Sequence, residues 1–240
     1  MVIAIALAYA IAGGVATRLG WSQESLLALA NGILAVAGGV ALWRRGGLAG
    51  AGIEPRPWRR ALALSTPLFL PAAVTLVLAL VFGGAWSAPG VATYVGLALL
   101  VGLAEELQFR GLIYGALRRF GATRGVVISA ALFGLLHTMN IARGAGVAGS
   151  LLQVVYAFAF GCAFAAALEL GGRLAPLIAA HALTDLFAYV AGQGATYAGG
   201  HDALIGAVTV AYVLVLGGYA WWLLRRVPRR AAVPPGSAQA

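Results

Sequence analysis

Residues 91–117 read VATYVGLALLVGLAEELQFRGLIYGAL, a mostly apolar run whose charged residues are Glu105, Glu106 and Arg110. A helix needs roughly 20 apolar residues to cross a bilayer, and this run is long enough. The whole chain has only seven Asp and Glu residues, and two of them stand side by side inside this segment. Ionisable side chains at membrane depth are costly and mark functional sites, so the reading of this one run decides both the fold class and where function is to be sought.

The rest of the chain agrees with a membrane reading. Of its 240 residues 62% are hydrophobic and 10% charged, with a mean hydropathy of +0.92, far from soluble composition. Breaks at charge, Pro and Gly clusters divide it into about eight candidate spans: 1–17, 25–43, 61–82, 91–117, 124–142, 146–168, 174–192 and 203–224. Long, continuously apolar runs favour helices over the short alternating strands of a barrel. The expectation is an all-α polytopic bundle forming one transmembrane domain over 1–230, with a disordered Ala- and Pro-rich tail over 231–240. Residues 1–17 lack a basic n-region and read as an uncleaved first span. The stretch Gly52 to Arg60, with Pro55 and Pro57, reads as an interfacial linker.

The chain has no Lys, so its arginines orient the spans. Placing 44–60 in the cytoplasm puts Arg44, Arg45, Arg56, Arg59 and Arg60 inside, and alternation adds Arg118, Arg119, Arg124, Arg173 and the arginines of the C-terminal tail. Arg18 and Arg143 fall outside, giving an N-in, C-in topology. This bias, together with anionic headgroups, accounts for the +9 net charge without nucleic acid. Trp21, Trp43, Trp58 and Trp86 fall at span edges, where amphipathic rings settle. Gly13-Gly14 and Gly38-Gly39 are expected to permit close helix packing. The single Cys162 excludes an internal disulfide.

Few polar side chains within the spans can do chemistry: Glu105, Glu106, Arg110, His137, Asn140, His181 and Asp185. Glu106 and Arg110 are four residues apart, as are His181 and Asp185, so each pair shares a helix face. Counting inward from the cytoplasmic arginines puts Glu105 and His137 about 20 Å deep, and His181 and Asp185 about 12 and 18 Å deep. One slab of membrane thus holds two imidazoles and their carboxylates. A carboxylate beside an imidazole can activate water, and a second imidazole can stabilise the oxyanion of an attacked peptide carbonyl. The same set could bind a divalent metal such as Zn²⁺, with Glu105, His137 and His181 as ligands, or work with none. No HExxH or GxSG-like motif is present, and the Asp residues are Asp185 and the loop residue Asp202, which leaves glutamate chemistry as the available proteolytic form. Plainer readings compete: Glu106 with Arg110 as a charge-neutralising pair, His137 facing the interface, His181 as a satisfied core histidine.

The run Glu105-Glu106-Leu107-Gln108-Phe109-Arg110-Gly111 resembles the EExxxR motif of the CAAX-protease and bacteriocin-processing (CPBP) intramembrane proteases, also called the Abi or type II CAAX prenyl endopeptidase family. Phe133 to His137 is similar to that family's FxxxH motif, and His181 to Asp185 to its HxxxN or HxxxD motif, in family order across about 91–192. The resemblance implies an intramembrane endopeptidase in which Glu105 and His137 activate water, while His181 and Asp185 stabilise the oxyanion or orient substrate. Glu106 and Arg110 would be supporting residues. Eukaryotic CAAX-cleaving members typically carry Asn where this chain has Asp185, and an Asp donates only when protonated. The implied partners are the lipid bilayer and a peptide or membrane-protein substrate. Arg, Ala and Gly abundance without Lys points to a high-GC prokaryote and its plasma membrane. The alternatives are a proton-coupled transporter or channel, or an inactive family member serving as an immunity protein or scaffold.

Overall fold

The computed structural model describes residue 14 and residues 18–142, 145–192 and 202–227. The described elements are α1 (Gln23–Arg44), α2 (Trp58–Ser65), α3 (Leu70–Phe82), α4 (Ala88–Glu106), α5 (Gly115–Leu117), α6 (Ala122–Leu136), α7 (Met139–Ala142), α8 (Val147–Gly171), α9 (Ala175–Gly192) and α10 (Asp202–Leu224). Among the described residues, seven helical stretches are long and apolar enough to cross a membrane, and the chain is a multi-pass membrane protein. The expected first span 1–17, the tail 231–240 and Arg143 lie outside the described residues, apart from the isolated Gly14.

Helix α8 is the centre. Its stretch from Ala157 to Leu168 is buried almost throughout, and it packs against α2, α6 and α10. Six of these positions are alanines, Ala157, Ala159, Ala163, Ala165, Ala166 and Ala167. Small side chains let neighbouring helices approach from several sides, where dispersion and not hydrophobic transfer holds a bundle together in lipid. Helix α9 packs on α3 and α4, and α1 lies along α4 and the turn that follows it.

Two spans depart from a plain α-helix. The fourth runs from Ala88 to Phe120, longer at both ends than 91–117, and Leu107–Tyr114 is π-helical. A wider turn carries an extra residue per repeat, and such segments cluster at functional sites. Here it turns consecutive residues from Gln108 to Tyr114 inward, and all of them are buried. The fifth span, expected over 124–142, is interrupted: α6 stops at Leu136, and α7 starts again at Met139. The cause is local competition for backbone carbonyls. His137 Nδ1 donates to the Phe133 carbonyl (2.9 Å) and Thr138 Oγ1 to that of Leu135 (2.7 Å). The His137 and Thr138 backbone N–H groups bond one residue closer, to Gly134 and Leu135, and this tightens and ends the helix.

The linker is shorter than Gly52 to Arg60. Helix α2 begins at Trp58 behind Pro57, and Ile53 is buried in the main core. Trp21, Trp43, Trp58 and Trp86 are all exposed, as belt residues must be. Of the glycine pairs, Gly38 does the expected work: a Cβ there would come within 2.9 Å of Gln108 Nε2 and 3.2 Å of Leu107 Cβ. Gly14 has nothing within 4 Å, and Gly13 lies outside the described residues.

Gly102 sets the spacing of α4 and α9 beside the polar residues. A Cβ there would sit 3.1 Å from the Ala182 backbone nitrogen and 3.3 Å from Ala182 Cβ. Gly102→Val is expected to cost about 1–3 kcal/mol by overpacking, read as a lower thermal unfolding midpoint in detergent.

Candidate active site

Glu105, His137, His181 and Asp185 line one cavity of about 330 Å³, together with Asn31, Asn140 and Gln153. They come from three parts of the bundle. Glu105 is in the last turn of α4, His137 caps α6, and His181 and Asp185 are one turn apart on α9. Asn31 is on α1 and Gln153 on α8.

His181 is the hub. Its Nδ1 lies 2.8 Å from Glu106 Oε1, and its Nε2 lies 3.6 Å from both Glu105 Oε2 and Asp185 Oδ2. Nδ1 therefore has a hydrogen-bond acceptor in Glu106, while Nε2 has two carboxylates at ion-pair distance. Glu106 is wholly buried and also accepts from Arg110 Nη1 at 2.9 Å. Arg110, 1% exposed, lies over Phe133 with 4.4 Å from its guanidinium carbon to the ring centroid, and within 6 Å of Phe160 and Phe164. Cation–π contact of this kind is strongest where water is excluded.

His137 has a defined tautomer. The Phe133 carbonyl, 2.9 Å from Nδ1, can only accept, so Nδ1 carries the hydrogen. In the neutral ring this leaves Nε2 with a lone pair. Phe133, expected to be plain core packing, is buried, but it also stands edge-on to both imidazoles, with centroids 5.0 Å from His137 and 6.1 Å from His181.

Glu106 and Arg110 do not line the cavity; they lie behind His181. Asn140 lies in the cavity, its amide donating to Gln153 Oε1 at 2.8 Å. His201 lies outside the described residues. Several participants carry no motif signal: Asn31, Gln153, Phe160 and Phe164. Lone amides in apolar spans are the one hint that could have found the first two.

The divalent-metal reading does not fit these residues. Among the described residues no three His, Cys, Asp or Glu side chains are grouped to hold one ion.

No curated protein and no solved structure matches the chain. A family model described as type II CAAX prenyl endopeptidase Rce1-like matches residues 86–187, which include all three motifs and begin and end about five residues before the stretch 91–192. Over residues 86–187 the chain is thus similar to the Rce1-like, type II CAAX prenyl endopeptidase family.

Proposed function

We propose that the chain is an intramembrane endopeptidase of the glutamate type, hydrolysing a peptide bond within the cavity shared by α4, α6 and α9. The observation that carries this reading is the meeting of Glu105 and His181 at 3.6 Å in a cavity that His137 also lines. Glu105 is the general base: its carboxylate takes a proton from a water also held by the His137 Nε2 lone pair. The water oxygen bonds to the substrate carbonyl carbon, and the carbonyl oxygen becomes an oxyanion. A protonated His181 Nε2 donates to that oxygen, pre-oriented so that little reorganisation is needed. Glu105 then returns its proton to the amide nitrogen, the C–N bond breaks, and acid and amine leave.

Asp185 is a positioning residue in this scheme. Its Oδ2 lies as close to His181 Nε2 as Glu105 does, and a carboxylate accepts where an oxyanion needs a donor. Glu106 holds His181 through Nδ1, and Arg110 holds Glu106. This is the logic by which a buried carboxylate fixes the tautomer of a working imidazole.

The test uses the purified chain in liposomes with a mixture of peptides and single-span membrane proteins, and mass spectrometry to detect new termini. Wild type is expected to produce them, and His137→Ala to produce them about 10²-fold more slowly or worse. Proton flux across the liposome without any new terminus would instead support a transporter.

A further inference from the structure

We infer that the cavity opens on the non-cytoplasmic face of the membrane, so that its substrates present the scissile bond from that side. This rests on the endopeptidase reading for the word substrate, but the orientation stands on geometry alone. The helices alternate in direction, and the structure joins their ends into two opposite faces. At one face Arg118 bonds to Glu169 and to the Ala51 carbonyl, and Arg173 bonds to the Arg56 carbonyl. A small cleft there is lined by Arg56, Arg60, Arg118 and Arg226. The loops 45–57, 118–121 and 172–174 and the end of α10 all belong to it. At the other face Ala85 N–H bonds to the Val190 carbonyl, between the loop before α4 and the end of α9. In sequence only Arg18 and Arg143 fall there. Short loops rich in Arg stay on the cytoplasmic side, and the asymmetry here is large.

The cavity belongs to the Arg-poor side. Helix α6 leaves the Arg-rich face and ends after 15 residues, while its neighbour α8 spans 25. From Gln153, which shares the cavity with His137, α8 runs on to Val147, about 9 Å at 1.5 Å per residue. Among the described residues the notch lies above His137, and Met139 and Asn140 line its rim together with Ala188 and Tyr189 from near the end of α9. Toward the Arg-rich face the cavity is closed. Arg110, Phe109, Tyr114, Phe164 and Leu168 are each at most 1% exposed. Beneath them Tyr114 donates to Glu169 Oε2 at 2.6 Å, and Glu169 is clamped by Arg118.

The rim combines apolar side chains with the amides of Asn31, Asn140 and Gln153, a surface suited to an uncharged, extended peptide segment. The substrate class is therefore the non-cytoplasmic flank of a spanning segment, or an apolar peptide delivered to that side. A peptide in the cytosol meets the closed floor.

Two measurements test this. In a Cys162→Ala background, Thr138→Cys marks the mouth and Arg119→Cys the Arg-rich face; both native residues are exposed. Membrane-impermeant maleimide on spheroplasts of a bacterial host is expected to label Thr138→Cys, and to label Arg119→Cys only in inverted vesicles. The reverse pattern overturns the inference whatever the activity. The second measurement co-expresses the wild-type chain with a single-span reporter carrying the same apolar linker on either side of its span. Cleavage at least tenfold greater with the linker on the non-cytoplasmic side supports the inference, and preference for the cytoplasmic linker overturns it. If neither reporter is cut while the labelling is as expected, the orientation is upheld and the endopeptidase reading fails.

Discussion

Glu105→Gln is expected to lower peptide hydrolysis by about 10²–10⁴-fold while leaving the unfolding midpoint almost unchanged. Both halves of that expectation follow from how Glu105 is held. Its side chain keeps 14% of its exposure, and its contact with the protein's charged groups is the 3.6 Å approach to His181 Nε2. Gln has the same shape, leaves the short Glu106 contact with His181 in place, and removes only the proton acceptor. Turnover of a peptide substrate alongside thermal unfolding of the purified variant checks it. Full activity in Glu105→Gln would end the glutamate mechanism; lost activity with a collapsed midpoint would make Glu105 structural.

Arg110→Ala is expected to act in the opposite sense, on stability first. The guanidinium and the Glu106 carboxylate are 2.9 Å apart, at 1% and 0% exposure. Taking away one partner of a buried pair costs about 3–5 kcal/mol, and here it leaves the buried Glu106 carboxylate with His181 Nδ1 as its remaining hydrogen-bond contact. The packing of the guanidinium over Phe133 is lost as well. The double variant Arg110→Ala, Glu106→Ala is expected to recover part of that loss, because no buried charge is stranded. Hydrolysis should not recover with it, since His181 has then lost its Nδ1 acceptor. Denaturation midpoints of the two single variants and the double variant give the coupling energy. A double variant no more stable than Arg110→Ala would show that the pair is not what holds this part of the bundle.

These two residues also mark how far the site could be read from sequence. Helical spacing placed Arg110 beside Glu106 and Asp185 beside His181, and both pairs are in contact. Spacing within a helix is local, so i,i+4 geometry carries over directly. Depth counting put Glu105, His137, His181 and Asp185 in one slab, and they do share a cavity. What it could not supply is which of two adjacent carboxylates faces which imidazole nitrogen. Glu106, not Glu105, takes the short contact to His181. That choice depends on the rotation of α4 against α9, set by the approach at Gly102 and Ala182, and on the π-helical turn that begins at Leu107.

The sequence by itself determined the membrane class, the helical architecture, the alternation of the spans and the short roster of residues able to do chemistry. Those follow from hydropathy, length and charge, which are properties of single segments. Only the tertiary structure decided the Phe133, Phe160 and Phe164 wall around Arg110, and the Tyr114, Glu169 and Arg118 closure. The physical reason is the solvent. In lipid the outer face of a helix is as apolar as its inner face, so these spans carry little amphipathic stripe to announce which side packs where. Helix facing is then settled by small-residue contacts and a few buried polar bonds between segments far apart in the chain.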